Sequence, residues 1–336
     1  MLIKPNKLEI GDTIAVISPS AGLAALAPHR LDNAIKFLKG QGYRIKEYPT
    51  TRKNNGWEAA PAEERAKDIM SAFLDKDVKA IICTIGGNTL NKTLKYLDFE
   101  KIKQNPKILC GYSDISVLHY ALHAKANLMS YYGPCMMVQF GEYPKPLDYT
   151  IEYFNKALVD GNIGRINASE KWTDEILNWF AKEDLERSRK LKKNIGYQWL
   201  REGSADGKII GGCLHSLMHL IGTEYWPNHQ EKILFIEIPE GEDFAKGESL
   251  AEVDAQLADF EIAGIFKGIK GLIIGRPFKY SEEESEKFKK IVLDNTKDYH
   301  FPILYGVDIG HTDPIITIPL GAECRINSTK NLFELV

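Results

Sequence analysis

Along the first half of the chain, short apolar runs rich in β-branched residues alternate with stretches whose apolar positions recur every three to four residues. Thr13-Ile14-Ala15-Val16-Ile17-Ser18 is the first such run, closed by the turn residues Pro19-Ser20-Ala21-Gly22. A helix is predicted from about Ala27 to Gly40, with Gly40 and Gly42 as its stop, and Tyr43 to Tyr48 then alternates as a strand. In the segment 62–74, Ala66, Ile69, Met70 and Phe73 stand at i, i+3, i+4 and i+7 and give one helix face its apolar character. That helix feeds the apolar strand Ala80 to Ile85, which opens into Gly86-Gly87-Asn88. A further helix from about Asn91 to Leu97 and a strand at Lys107 to Cys110 follow. This order is the signature of a mostly parallel sheet covered by helices, so the fold class is α/β.

From about Tyr149 to Asp206 the periodicity weakens and the chain becomes rich in charge and aromatics, with Trp172, Trp179, Tyr197 and Trp199 and a basic run from Arg187 to Lys193. A stretch of that length inside a compact protein is expected to be a linker that doubles as a lid. Strands dominate afterwards: Lys208 to Gly211, Ile233 to Ile238, Gly271 to Gly275, Pro302 to Tyr305 and Ile315 to Pro319. The expected organisation is an N-terminal α/β domain at 1–150, a linker and lid at 151–205, and a C-terminal β-rich domain at 206–336.

Composition narrows the function classes. Of 336 residues, 43 are Lys or Arg and 46 are Asp or Glu, a net charge of −3 without a long single-sign block, so binding to nucleic acid is not expected. The longest apolar runs, such as Ile233 to Ile236, fall far short of the roughly 20 residues that cross a bilayer. No membrane association is expected. The N-terminus has no apolar core followed by small residues, which points to a cytoplasmic protein. The five cysteines, Cys83, Cys110, Cys135, Cys213 and Cys324, are widely spaced with no CxxC pair, and read as buried free thiols. His119/His123 and His215/His219 stand at i, i+4, but neither pair carries the Glu of HExxH, so no metal is expected.

The chemistry concentrates at three places. Apolar Lys107 to Cys110 runs into Gly111-Tyr112-Ser113-Asp114, and a helical pattern starts at once. Ser113 is thereby placed on a sharp strand-to-helix turn at the carboxyl edge of the sheet, like the nucleophile elbow of hydrolases, although Ile115 stands where a second glycine is usual. The competing reading is a serine that caps an ordinary helix. Gly86-Gly87-Asn88 ends another strand and is either a tight turn or a loop that lets backbone N–H groups approach a ligand. A serine nucleophile needs a base, and the base needs an orienting acceptor. His311 sits in the loop Val307 to Pro314, and Glu237 interrupts the apolar strand Leu234 to Pro239. Burying that carboxylate is costly unless something pairs with it, and His311 would be such a partner; otherwise Glu237 faces solvent on an edge strand.

Taken together and in order, Gly11 to Ser20, Glu64 to Asp68, Gly86-Gly87-Asn88, Gly111 to Asp114, Tyr132-Gly133-Pro134, Gly211 to Leu214, Leu234 to Glu237 and Gly310 to Pro314 resemble the LD-carboxypeptidase family of serine peptidases, which includes the microcin immunity proteins. The resemblance implies a doubly wound, mostly parallel N-terminal domain, a C-terminal β-rich domain, and a triad of Ser113, Glu237 and His311 across the two. It further implies an oxyanion hole from the N–H groups of Gly87 and Asp114, no cofactor, and often a homodimer. Asn88 is a substrate-binding candidate. The long insert and Gly222 to Pro227 look more like the immunity branch, whose members carry an insert-loop aromatic that stacks on a nucleobase; here the matching residue is Tyr197. The expected substrate is a small molecule or peptide: a murein peptide ending in a D-amino acid, or an aminoacyl or peptidyl group joined to a nucleotide. The competing class is a non-catalytic two-domain protein that binds a small peptide or sugar in its cleft.

Overall fold

The computed structural model describes residues 2–336. The chain builds β1 (Thr13–Ile17), β2 (Arg44–Glu47), β3 (Val78–Cys83), β4 (Ile108–Gly111) and β5 (Tyr131–Tyr132), separated by helices that include Pro28–Gly40 and Ala62–Leu74. It continues through β6 (Gly164–Arg165), β7 (Lys171–Trp172), β8 (Lys192–Lys193), β9 (Gln198–Arg201), β10 (Ser204–Cys213), β11 (Lys232–Glu237), β12 (Gly271–Gly275) and β13 (Ile303–Val307). Last come β14 (Ile318–Pro319), β15 (Glu323–Asn327) and β16 (Leu332–Leu335).

The first sheet has the order β14-β5-β4-β3-β1-β2, with β1 to β4 parallel. Both faces are covered, so β1, β3 and β4 are nearly continuous apolar runs with almost every residue buried. The order reverses between β1 and β3, and in open α/β sheets ligands bind beside the strand ends at that point. Pro19-Ser20, Gly86-Gly87 and Tyr112-Ser113 all leave the carboxyl ends of these strands.

The second sheet runs β6-β16-β15-β10-β11-β12-β13-β9. Its centre, β10 to β13, is parallel, and the helices Leu250–Ile262 and Glu282–Asn295 supply crossovers. Both are capped by a serine, Ser249 and Ser281, and the second has a full capping box with Glu284.

Two expectations change here. Of Ile315 to Pro319 only β14 is a strand, and it pairs with β5 in the first sheet rather than extending the second. The stretch expected as linker and lid contributes both edge strands of the second sheet, β6 against β16 and β9 against β13. Its first ten residues are helical, and its middle leaves the sheet as a long loop closed by the two-stranded β7–β8 pair and tied back by the reciprocal backbone pair Thr173–Asp313.

Candidate active site

The fully buried strand β4 ends at Gly111, and the helix Ile115–Ala121 begins four residues later. That distance cannot be spanned without a sharp turn, and Ser113 takes it at φ 65°, in the left-handed region that side-chain-bearing residues avoid. Asp114 occupies the cap position without a side-chain cap bond, so the serine hydroxyl is not used to cap the helix. Ser113 Oγ instead lies 3.1 Å from His311 Nε2. The other ring nitrogen, Nδ1, donates to Glu237 Oε2 at 2.7 Å.

Glu237 ends β11 with no exposed surface, so the edge-strand reading falls away. Its second oxygen accepts from the Tyr132 hydroxyl at 2.6 Å, and the Tyr132 oxygen accepts the Ser113 N–H at 3.3 Å. The carboxylate is therefore paired on both oxygens, as burial requires. Gly310 makes the approach possible: a Cβ there would stand 2.4 Å from Glu237 Oε2, and its φ of +94° suits glycine. The edge of Tyr112 packs against the His311 ring, with centroids 5.0 Å apart.

Gly86 approaches Ser113 so closely that a Cβ would lie 2.7 Å from its Oγ. The Asp114 carboxylate holds this loop by accepting from Ser20 Oγ and from the N–H groups of Thr89 and Leu90, at 2.9 and 3.0 Å. Among the described residues, neither the Gly87 nor the Asp114 N–H has a hydrogen-bond acceptor. Asn88 Oδ1 is 2.9 Å from His219 Nε2, a bond that joins the two halves over the site.

Burial alone would drive the proton off His311, but Glu237, then Glu240 and Asp313, outweigh it and push the imidazole up to about 9. Glu240 Oε2 lies 3.5 Å from Nε2. Asp313 is bound by Arg189 at 2.8 Å and by Gln139 at 3.0 Å, and Arg189 also pairs with Glu142. One arginine of the basic run 187–193, Arg189, is thus a partly buried tie to the histidine loop. His119, by contrast, is held between Ser130 and Gly111 O, and burial lowers it to about 4.

All five cysteines are buried free thiols. Cys213, Glu237 and His311 form a group whose ligand atoms lie within 4.8 Å of one another, but the glutamate and imidazole atoms are already hydrogen-bonded to each other. Tyr197 is not hydrogen-bonded to Ser113, His311 or Glu237. Its hydroxyl donates to Asp308 at 3.1 Å, and its ring meets Phe333. Sequence reasoning did not assign roles to Tyr132, Glu240 or Arg189. Tyr132 did lie in a motif, but its tie to Glu237 spans 105 residues and no local pattern carries it.

A two-sheet α/β protein with a serine, a histidine and a glutamate hydrogen-bonded in series across the sheets has the arrangement of a serine hydrolase. Family comparison agrees: residues 14–133 match the LD-carboxypeptidase N-terminal domain and residues 206–326 the C-terminal domain, and the chain belongs to that family of serine-type carboxypeptidases. It is 33% identical over 330 residues to the microcin C7 self-immunity protein MccF of Escherichia coli, covering 97% of this chain and 93% of that one. It is 27% identical over 330 residues to a probable murein peptide carboxypeptidase of Bacillus subtilis, covering 97% and 92%. The solved structure of MccF with glutamyl sulfamoyl guanosine superposes with a TM-score of 0.91 at 30% identity, covering 99% and 98% of the chains. Membership in an enzyme family sets aside the non-catalytic binding protein. Among the described residues, no helix is long and apolar enough to cross a membrane.

Proposed function

We propose that the protein hydrolyses the amide between an aminoacyl or peptidyl group and a nucleotide-like moiety, through an acyl-enzyme on Ser113. The observation that carries this reading is the continuous chain Ser113–His311–Glu237, closed by Tyr132 back to the Ser113 backbone. Ser113 Oγ attacks the carbonyl while His311 Nε2 takes its proton. The imidazolium returns that proton to the leaving nitrogen, the amine departs, and water repeats the sequence on the ester with His311 again as base. Glu237 holds the ring and stabilises its positive form. The free N–H groups of Gly87 and Asp114 are the donors for the tetrahedral oxygen, and Asp114 also fixes the glycine loop through its carboxylate. No step of this sequence calls on a cofactor.

Similarity to MccF over nearly the whole chain favours the nucleotide-linked substrate over the murein peptide, to whose peptidase the identity is lower. The test is a parallel assay of the wild-type protein on an aminoacyl sulfamoyl adenosine and on a muropeptide ending in D-alanine. Release of the amine from the first at a higher kcat/KM is expected. Turnover of the muropeptide alone would overturn the substrate assignment, and turnover of neither would overturn the hydrolytic reading. A homodimer belongs to the same reading and is tested by sedimentation.

A further inference from the structure

Glu240 takes no part in the sequence of steps above. It follows the triad glutamate by three residues and opens a turn in which it bridges across to Gly247 and Gly241 N–H donates to Lys246 O. The carboxylate keeps 28% of its side-chain surface exposed, and among the described residues its ion-pair partner is His311 Nε2 at 3.5 Å. Among the described residues, no lysine or arginine is paired with it. The same nitrogen is in contact with Ser113 Oγ, so Glu240 stands beside the place where a scissile carbonyl must lie.

A negative charge there is unhelpful to the reaction as it stands. Glu237 already orients the imidazole through Nδ1, and the proton moves between Ser113 and Nε2. A second carboxylate at Nε2 opposes the charge that develops on the tetrahedral oxygen and keeps the imidazole protonated. Both effects are cancelled if the substrate brings a cation to this carboxylate. In an aminoacyl compound the α-nitrogen is two bonds from the scissile carbonyl carbon, so with that carbon against Ser113 Oγ the ammonium comes within reach of a group flanking Nε2.

We infer that Glu240 receives the free α-ammonium of the substrate's acyl residue, an assignment that rests on Ser113 acting as the nucleophile. The substrate class follows. Aminoacyl amides with an unblocked α-amine are accepted. Acyl groups whose α-nitrogen is already in an amide bond, as in a murein peptide or in the peptidyl form of the nucleotide-linked substrate, lack the cation and are the poorer substrates. Binding and base activation are also linked: an ammonium on Glu240 removes one of the charges that hold the proton on His311.

The experiment compares kcat/KM for alanyl sulfamoyl adenosine and its N-acetylated counterpart in the wild-type protein, Glu240→Gln and Ser113→Ala. Wild type is expected to prefer the free amine by about tenfold or more, and Glu240→Gln to bring the two within about threefold, mainly by losing the free-amine compound. The isosteric change sits on an exposed turn, and an unchanged melting temperature checks that the fold is kept. A ratio that is unchanged in Glu240→Gln, an equal loss on both compounds, or no preference in wild type would overturn the assignment while leaving hydrolysis by Ser113 intact. Hydrolysis that survives in Ser113→Ala would instead overturn the reaction on which it rests.

Discussion

Glu237→Gln keeps the volume of a fully buried side chain and removes its charge. Holding His311 at about 9 rather than the ordinary 6.5 corresponds to roughly 3 kcal/mol in favour of the imidazolium, with Glu237 the largest favourable contributor ahead of Glu240 and Asp313. Glutamine can accept one hydrogen bond from Nδ1, but it no longer stabilises the charge that forms when Ser113 gives up its proton. It can also settle the ring in the wrong tautomer. The expected result is a fall in kcat of about 10²- to 10⁴-fold. With His311 held at about 9, the acid limb of the wild-type kcat/KM profile is expected near that pH, and in the variant it should move down by a unit or more. Stability carries the same signature. The folded protein holds the His311 proton to a higher pH than the unfolded chain, so this stabilisation is complete below about 6.5 and is lost as pH rises through about 9. The stability gap between wild type and Glu237→Gln, measured by urea denaturation, should therefore be wider at pH 6 than at pH 10. A variant within about threefold of wild type, with an unmoved acid limb, would refute the pairing as the source of the base.

Three further outcomes follow from the packing. Gly310→Ala forces a methyl to 2.4 Å from Glu237 Oε2 at a φ of +94° and should cost about 1–3 kcal/mol in denaturation, with a larger loss of turnover than of binding. Arg189→Met removes the cation shared by the buried carboxylates Glu142 and Asp313, leaving Glu142 with Arg30 at 3.9 Å and Asp313 with Gln139 at 3.0 Å, and is expected to lower stability by about 3 kcal/mol. An exposed basic residue of the same run, as in Lys193→Met, should change it by less than about 0.5 kcal/mol. Tyr197→Ala, which empties the contact with Phe333 and removes one of several donors to Asp308, should weaken the nucleotide-linked and murein substrates alike; loss confined to the nucleotide compound would place its ring on the base.

What could be read from the chain was what is local. The elbow at Ser113 is legible because a buried strand, a turn and a helix follow one another within a dozen residues, and Ile115 is accommodated because Gly111 leaves it room. Glu237 is legible as a charge out of place in an apolar strand, and His311 by its loop. The tie from Tyr132 to that glutamate depends on β5 meeting the end of β11, which alternation along either strand does not encode. Glu240 and Arg189 read as surface charges among many, and only the fold separates one beside the reacting atoms and one tied to the histidine loop from their exposed neighbours. The edge strands β6 and β9 are two and four residues long, too short for a periodicity to register. The apolar run of β14 says that it is buried, not against which partner, so its place beside β5 in the first sheet is not legible from sequence.

The central claim, that Ser113 is the nucleophile, is tested most directly by the turnover of Ser113→Ala on the better of the two substrates. In the proposed mechanism the hydroxyl, the imidazole and the carboxylate act as a unit, so a loss of at least about 10³-fold is expected, with substrate binding retained. Activity within tenfold of wild type would contradict the account.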